Sequence, residues 1–343
     1  MRAAVIREHG GPEVLNIENV PDPAPRADQV LVEVRACALN HLDTWVRRGL
    51  PGMTFPMPHI LGNDIAGVVR EVGDLVATVK PGDEVLLAPG VSCGACPQCL
   101  GGDDNLCASY DMLGYGLPGG YAELVVAPAR NAHPIPAGLT FEEAATIPLT
   151  FLTAWHMLVG RAKLKAGEDV LVLAAGSGVG VAAIQIAKLL GARVIATAST
   201  EIKLERAKGL GADETINYES SPDFHKAVKR LTAGKGVEVV VEHVGAATWT
   251  RSVASLARNG RLVTCGATTG YEATIDIRHL FYKHLSLLGS FMGRHSELVE
   301  LLPFFADGRL KPVVDRVLPL EEAGEAHRLM GDRAQFGKIV LVP

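Results

Sequence analysis

Apolar positions along this chain fall into two rhythms. Up to about residue 150 the apolar runs are short and rich in β-branched residues, as at 30–34, 66–72, 84–87 and 121–126. Fifteen of the twenty prolines lie at or before Pro148. Proline is excluded from central ladder positions but suits strand ends and turns, so this part reads as an antiparallel β domain with long loops. From 151 to 295 strand-like runs at 169–174, 193–197, 214–217, 237–242, 261–265 and 285–290 alternate with helical spacing. Such alternation predicts a parallel sheet covered on both faces, an α/β arrangement. After 296 come a helix near 296–306, a strand at 313–317, a helix near 320–330 and a strand at 338–342, which resume the first style. The expected domains are therefore 1–150 plus 296–343, and 151–295.

The clearest single unit runs from Asp169 to Ser199. A buried strand leads into Gly176, Ser177, Gly178, Val179 and Gly180, after which Val181, Ile184, Ala187 and Leu190 recur at helical spacing. Gly191 stops that helix, and the strand 193–197 follows. A glycine-rich turn at a helix N-terminus lets backbone approach a pyrophosphate and offers free N–H groups and a partial positive charge. Against the G-x-G-x-x-G pattern, Ala175 and Ser177 replace the first two glycines and Gly180 keeps the third. A tight structural turn is the competing reading. The strand before, helix after and second strand at the right distance favour a dinucleotide.

A net charge of −5 with no Lys/Arg run offers no footprint for nucleic acid or a membrane surface. The N-terminus lacks an apolar signal core and no apolar run reaches membrane-spanning length, so a cytoplasmic location is expected. Of the six cysteines, Cys93, Cys96, Cys99 and Cys107 crowd into fifteen residues as C-x2-C-x2-C-x7-C. Four thiolates from one compact loop suit tetrahedral Zn²⁺ and leave no open position, so one structural zinc per chain is expected, with an iron–sulfur cluster as the competing reading. Cys37 and Cys265 read as inert buried thiols.

These features together resemble the medium-chain dehydrogenase/reductase family along essentially the whole chain. The supporting stretches are ACALNHLD at 36–43, ILGNDIAG at 60–67, KPGD at 80–83, the cysteine lobe, GGYAE at 119–123, the dinucleotide turn and GKIV at 337–340. The resemblance implies a GroES-like antiparallel β-barrel domain joined to a doubly wound Rossmann domain, with substrate and nicotinamide meeting in a cleft. The lobe within 90–110 resembles the structural-zinc lobe of the zinc alcohol dehydrogenases.

The departure lies at the other metal of that branch. Its three ligand positions fall at Asn40, Asn63 and near Leu149, and its proton-relay positions at Leu42 and Trp45. Amide and aliphatic groups replace thiolate and imidazole poorly on Zn²⁺, so no catalytic zinc is expected. Alcohol oxidation then loses its usual activation, whereas a quinone or α,β-unsaturated carbonyl is already electrophilic. Asn40 and Asp43 resemble the corresponding segment of the quinone oxidoreductase (zeta-crystallin) branch. This implies that Asn40 orients nicotinamide or a substrate oxygen and that Asp43 braces the loop.

By the same resemblance His41 lies near the pyrophosphate, Thr153 packs beside the nicotinamide, and Val244 and Gly266 line the cofactor by backbone. Ser290 and Phe291 face the nicotinamide amide, and Lys338 either reaches the cofactor or is a solvated terminal lysine. The second strand ends at Ala198 where an acid would bind the ribose of NAD(H). Ser199 and Lys203 can donate to a 2′-phosphate and Tyr218 resembles the tyrosine that covers it, so NADP(H) is favoured over NAD(H); Glu201 is the competing ribose acid. Three functions stay open: a zinc-free reductase of quinones or enones, a zinc alcohol dehydrogenase using Asp64 or His41 as substitute ligands, and a non-enzymatic NADPH-binding partner protein. A homodimer or homotetramer, paired through edge strands near 285–290, is expected from the family.

Overall fold

The computed structural model describes all residues from Met1 to Pro343. The chain divides into two compact units, one of 1–149, 294–308 and 312–343, the other of 150–293 and 309–311.

The first unit is built on a seven-stranded sheet. Its path runs Ala132–Pro134, Glu84–Leu87, Asp64–Val72, Gln29–Ala38, Lys338–Val342 and Val314–Pro319, with Leu124–Pro128 also paired to Gln29–Ala38. Alternate residues of these strands, among them Val30, Val32, Val34, Ile65, Val69, Val85 and Leu87, form one apolar core with Ile339 and Leu341. A smaller sheet pairs Arg2–Ile6 with Asn16–Asn19 and His59–Ile60. One pairing departs from the antiparallel expectation: Val314–Pro319 and Lys338–Val342 are parallel. The helix Ala323–Gly331 between them is the crossover that parallel neighbours require. The C-terminal strand thus ends in the middle of the sheet, antiparallel to Gln29–Ala38 with Val340 opposite Ala38. Continuing that register by two residues sets Lys338 opposite Asn40.

The second unit carries a six-stranded, wholly parallel sheet. In space its strands are ordered Glu214–Asn217, Arg193–Ala198, Asp169–Val172, Val237–Glu242, Leu256–Thr264 and Ser286–Gly289. Both faces are covered, which is why Val170, Leu171, Val172, Val194, Ile195, Val239, Val240 and Val241 are all completely buried. The helices Gly178–Leu189, Glu201–Gly209, Phe224–Leu231 and Trp249–Ser255 connect successive strands. The fold is the expected combination of a GroES-like β domain and a doubly wound Rossmann domain. The fifth strand begins earlier than the expected 261, at Leu256, with an irregular register against Val237–Glu242. No helix is long and apolar enough to cross a membrane.

The turn into Gly178–Leu189 shows why one glycine position cannot change. Ser177 caps the helix, its Oγ accepting from the Gly180 N–H at 2.9 Å. A Cβ on Gly180 would stand 2.4 Å from the carbonyl oxygen of Ala174, backbone of the turn itself. Gly180→Ala must therefore displace the turn. It is expected to lower unfolding free energy by about 1–3 kcal/mol, measured by denaturant titration against wild type.

Candidate active site and zinc lobe

Within the first unit, the helix His41–Arg48 begins beside the C-terminal strand. Asn40 is its N-cap, and its backbone N–H donates to Asp43 Oδ2 at 2.7 Å. The other Asp43 oxygen accepts from the Gly62 N–H at 3.0 Å, so one carboxyl ties the helix start to the 60–64 segment. A side chain at Gly62 would collide with Tyr121 and with Cys37 Sγ, so the loop is packed shut around this carboxyl. Burial pushes the Asp43 carboxyl up to about 7, against the stabilising pull of the Asn40 and Gly62 N–H groups and of Lys338. Tyr121, fully buried next to it, is raised by the same desolvation, and its hydroxyl lies 3.3 Å from His327 Nε2. Burial, reinforced by Arg47 and Arg48, lowers His327 to about 3, so this ring is neutral.

Asn40 itself is held by two charged groups. Its Oδ1 accepts from Lys338 Nζ at 2.5 Å, and its Nδ2 donates to Asp64 Oδ2 at 2.9 Å. Lys338 Nζ also reaches Asp64 Oδ2 at 2.7 Å, with the two side chains 5% and 0% exposed. The Leu149 N–H donates to Asp64 Oδ1 at 2.7 Å. Lys338 is therefore not a solvated terminal lysine, and its ammonium is committed to Asp64 and Asn40. Asn63 Nδ2 donates to the Leu113 carbonyl, while its buried Oδ1 has no hydrogen-bond partner.

The three positions to which the resemblance assigns a metal shell hold one amide locked by an ion pair, one amide turned to backbone, and one residue contributing only its N–H. A second Zn²⁺ does not fit this donor set. Asp64, the expected substitute ligand, already neutralises an ammonium that would repel a dication. His41, the other substitute, opens the helix and packs edge-on to Trp45 at 6.1 Å.

In the second unit the parallel sheet brings the remaining candidates to one edge. The Gly176–Gly180 turn, Ser199, Tyr218, Val244, Gly266, Ser290 and Phe291 all follow the carboxyl ends of their strands. Strand order reverses between Asp169–Val172 and Val237–Glu242, the switch point where such sheets bind nucleotides. Ser199 and Tyr218 follow the register pair Ala198–Asn217 and so lie together, with Lys203 in the first turn of Glu201–Gly209. Glu201 accepts from Asn217 Nδ2 at 2.6 Å. The Val244 N–H and carbonyl are already bonded to Glu242 and Thr269, and its side chain packs, partly buried, against the apolar core of the unit. Thr153 Oγ1 and Ser290 Oγ are buried without a hydrogen-bond partner.

Glu242 was not foreseen. Completely buried, it accepts from the Val244 and Gly245 N–H groups at 2.7 and 3.0 Å and from the Ser252 hydroxyl at 2.5 Å, with Thr248 in addition. It shapes the loop beyond its strand, and its position inside an apolar run was the one available signal.

The cysteine lobe converges as its spacing demands. All four Sγ atoms lie within 4.8 Å of one another, with 3.9 Å between Cys93 and Cys99 and 3.5 Å between Cys96 and Cys99. Zn–S bonds of about 2.3 Å in a tetrahedron require S···S separations of about 3.8 Å. Backbone N–H groups of Ala95 and Cys96 pull the Cys93 thiol down to about 6, toward the thiolate that a metal needs. The residues fit Zn²⁺. The lobe is fastened to the helix His295–Ala306 by an Arg294–Asp103 ion pair at 2.7 Å and by Asp104, which accepts from the His295 N–H at 2.9 Å.

Comparison with known proteins agrees with this architecture. Residues 26–137 match the alcohol dehydrogenase GroES-like domain, and residues 178–307 match the zinc-binding dehydrogenase domain. The quinone oxidoreductase of Rattus norvegicus is 31% identical, over 100% of this chain and 98% of that protein. The chain belongs to the medium-chain dehydrogenase/reductase family. The crotonyl-CoA carboxylase/reductase of Cereibacter sphaeroides, of the same family, is 34% identical over 95% of this chain and 83% of its own length. A solved structure described as an NAD-dependent alcohol dehydrogenase is 55% identical, with a TM-score of 0.97 and full coverage of both chains. This medium-chain dehydrogenase/reductase is an NAD(P)-dependent oxidoreductase, and the reading as a non-enzymatic binding protein falls away.

Metal analysis is expected to find one zinc per chain. Cys99→Ser is expected to lose it and to lower Tm by about 5–10 °C, the scale of a few kcal/mol in a domain of this size. A second prediction concerns Asp43. Its folded value near 7 lies above the ordinary 3.8, so the folded state binds that proton more tightly, and the resulting stability is lost as pH rises between the two. Wild type should therefore gain stability over Asp43→Asn as pH falls through this window, read by denaturant unfolding at several pH values.

Proposed function

We propose that this enzyme reduces quinones or α,β-unsaturated carbonyl compounds with NADPH and without a catalytic zinc. The observation that carries the reading is the Asn40–Asp64–Lys338 cluster, in which the amide at the first of the three metal-ligand positions is held between an ammonium and a carboxylate. NADPH supplies the hydride. Asn40 donates an N–H to the substrate oxygen as negative charge develops there, and Asp43 holds the helix start that carries Asn40. Asp64 and Lys338 cancel each other's charge, and solvent provides the proton that completes the reduction. The similarity to a quinone oxidoreductase and to a reductase named for crotonyl-CoA, an α,β-unsaturated thioester, supports this substrate class.

For the cofactor, Gly176, Ser177, Gly178, Val179 and Gly180 would take the pyrophosphate. Thr153, Val244, Gly266, Ser290 and Phe291 would surround the nicotinamide side. Ser199, Lys203 and Tyr218 would hold the 2′-phosphate of NADPH, a choice supported by Glu201 being bonded to Asn217. The open edge strand Ser286–Gly289, with Ile277, Phe281 and Tyr282 of the neighbouring helix exposed, is the surface through which we place a homodimer or homotetramer.

One observation favours a second reading, alcohol oxidation with NAD: the similarity to the solved NAD-dependent alcohol dehydrogenase. Steady-state assay of zinc-loaded protein with quinones, enones and alcohols, each with NADPH and NADH, separates the two. Enone or quinone turnover is expected; alcohol turnover alone would overturn the proposal. Lys203→Ala is expected to raise KM for NADPH about tenfold, the scale of one lost phosphate contact, and to leave that for NADH unchanged.

A further inference from the structure

We infer that Asp64 and Lys338 are positioning residues that lock the Asn40 amide in one of its two orientations, so that it presents an N–H to the reacting oxygen. The inference rests on the reductase reading above and names what makes Asn40 competent for it.

An asparagine amide can be turned by half a rotation with almost no change of shape, and only its partners choose between the two states. Here Oδ1 faces the Lys338 ammonium at 2.5 Å and Nδ2 faces Asp64 Oδ2 at 2.9 Å. Rotation would set the NH₂ group against the ammonium and the oxygen against the carboxylate. Two charge-assisted hydrogen bonds would become two repulsions in a place water hardly reaches, where Asn40 is 5% exposed, Lys338 4% and Asp64 0%. One Nδ2 proton is spent on Asp64; the other is left for a ligand, while the oxygen is turned to the ammonium.

Both locking groups stand on rigid supports. The Leu149 N–H fixes Asp64 Oδ1 at 2.7 Å, and the Lys338 N–H donates to the Val313 carbonyl at 2.9 Å, just before the neighbouring strand Val314–Pro319. The amide so oriented acts as a donor to a carbonyl or enolate oxygen. It is neither acid nor base at neutral pH, so its part is to stabilise charge on that oxygen while solvent supplies the proton.

The test compares wild type, Lys338→Met, Lys338→Arg and Asp64→Asn as zinc-loaded full-length proteins. Readouts are kcat and KM for an enone or quinone with NADPH, Tm, and the side-chain amide NMR signals of selectively ¹⁵N-asparagine-labelled protein without cofactor. The Asn40 signal is assigned by its loss in Asn40→Ala. In wild type its two protons should be widely separated, and Lys338→Met and Asp64→Asn should each bring them together. Lys338→Met is expected to lower kcat by about 10²-fold, the effect of removing one oxyanion donor, with KM for NADPH within about twofold of wild type. Lys338→Arg, which still donates to both partners, should recover most of the kcat and the separated signals. The inference is overturned if Lys338→Arg is as impaired as Lys338→Met, if Lys338→Met raises KM for NADPH and spares kcat, or if the Asn40 signals do not respond. Should wild type turn over only alcohols, the reductase reading fails while the amide spectrum still decides the orientation.

Discussion

Two ionised side chains withdrawn from water depend on each other, and here that dependence organises the start of the helix His41–Arg48 and the strands beside it. The Lys338–Asp64 pair is nearly inaccessible to solvent. Removing either partner would leave an uncompensated charge in a low-dielectric site, far costlier than the pair itself. The pair also requires the C-terminal strand to sit between Gln29–Ala38 and Val314–Pro319, because only that register places Lys338 across from Asn40. Packing of Ile339, Val340 and Leu341 in the core supplies the apolar stabilisation that holds the strand there. The polar cluster and the β core are therefore one construction.

The second unit reaches its chemistry by a different route. A parallel sheet aligns every strand's carboxyl end, so residues separated by more than a hundred positions in sequence gather along one edge without any of them pairing to another. Helix starts and tight turns then present N–H groups there, and Glu242 shows what must be satisfied to keep such an edge open. Its buried carboxylate is answered by backbone and hydroxyl donors of the following loop, which fixes the loop's course. The four-cysteine lobe is the opposite case, a local cluster whose thiols lie within fifteen residues. It is joined to the remainder of its unit through Asp103, Asp104 and the start of the helix His295–Ala306.

Much of this was legible beforehand because the signals were local. Alternation of period two, helical spacing after a glycine turn, and four cysteines in a short loop each reflect contacts made within a few dozen residues. The strand runs, the βα turn capped by Ser177 and the convergence of Cys93, Cys96, Cys99 and Cys107 follow directly from such contacts. The same holds for the Asn40–Asp43 turn, whose partners are three residues apart. What escaped were partners distant in sequence: Tyr121 with His327, and the parallel pairing of the last two strands across a helix.

By itself, then, the sequence determined the two kinds of domain, the glycine-rich turn, the four-cysteine lobe and the absence of thiolate and imidazole at Asn40, Asn63 and Leu149. Each of those depends on residue type and near-neighbour spacing. Tertiary structure alone decided where Lys338 goes. At 298 residues after Asn40, a lysine at the start of a terminal strand has no local feature to separate solvent from core. Its place was chosen by register, by the burial of the strand that carries it, and by a carboxylate that burial forbids to stand unpaired.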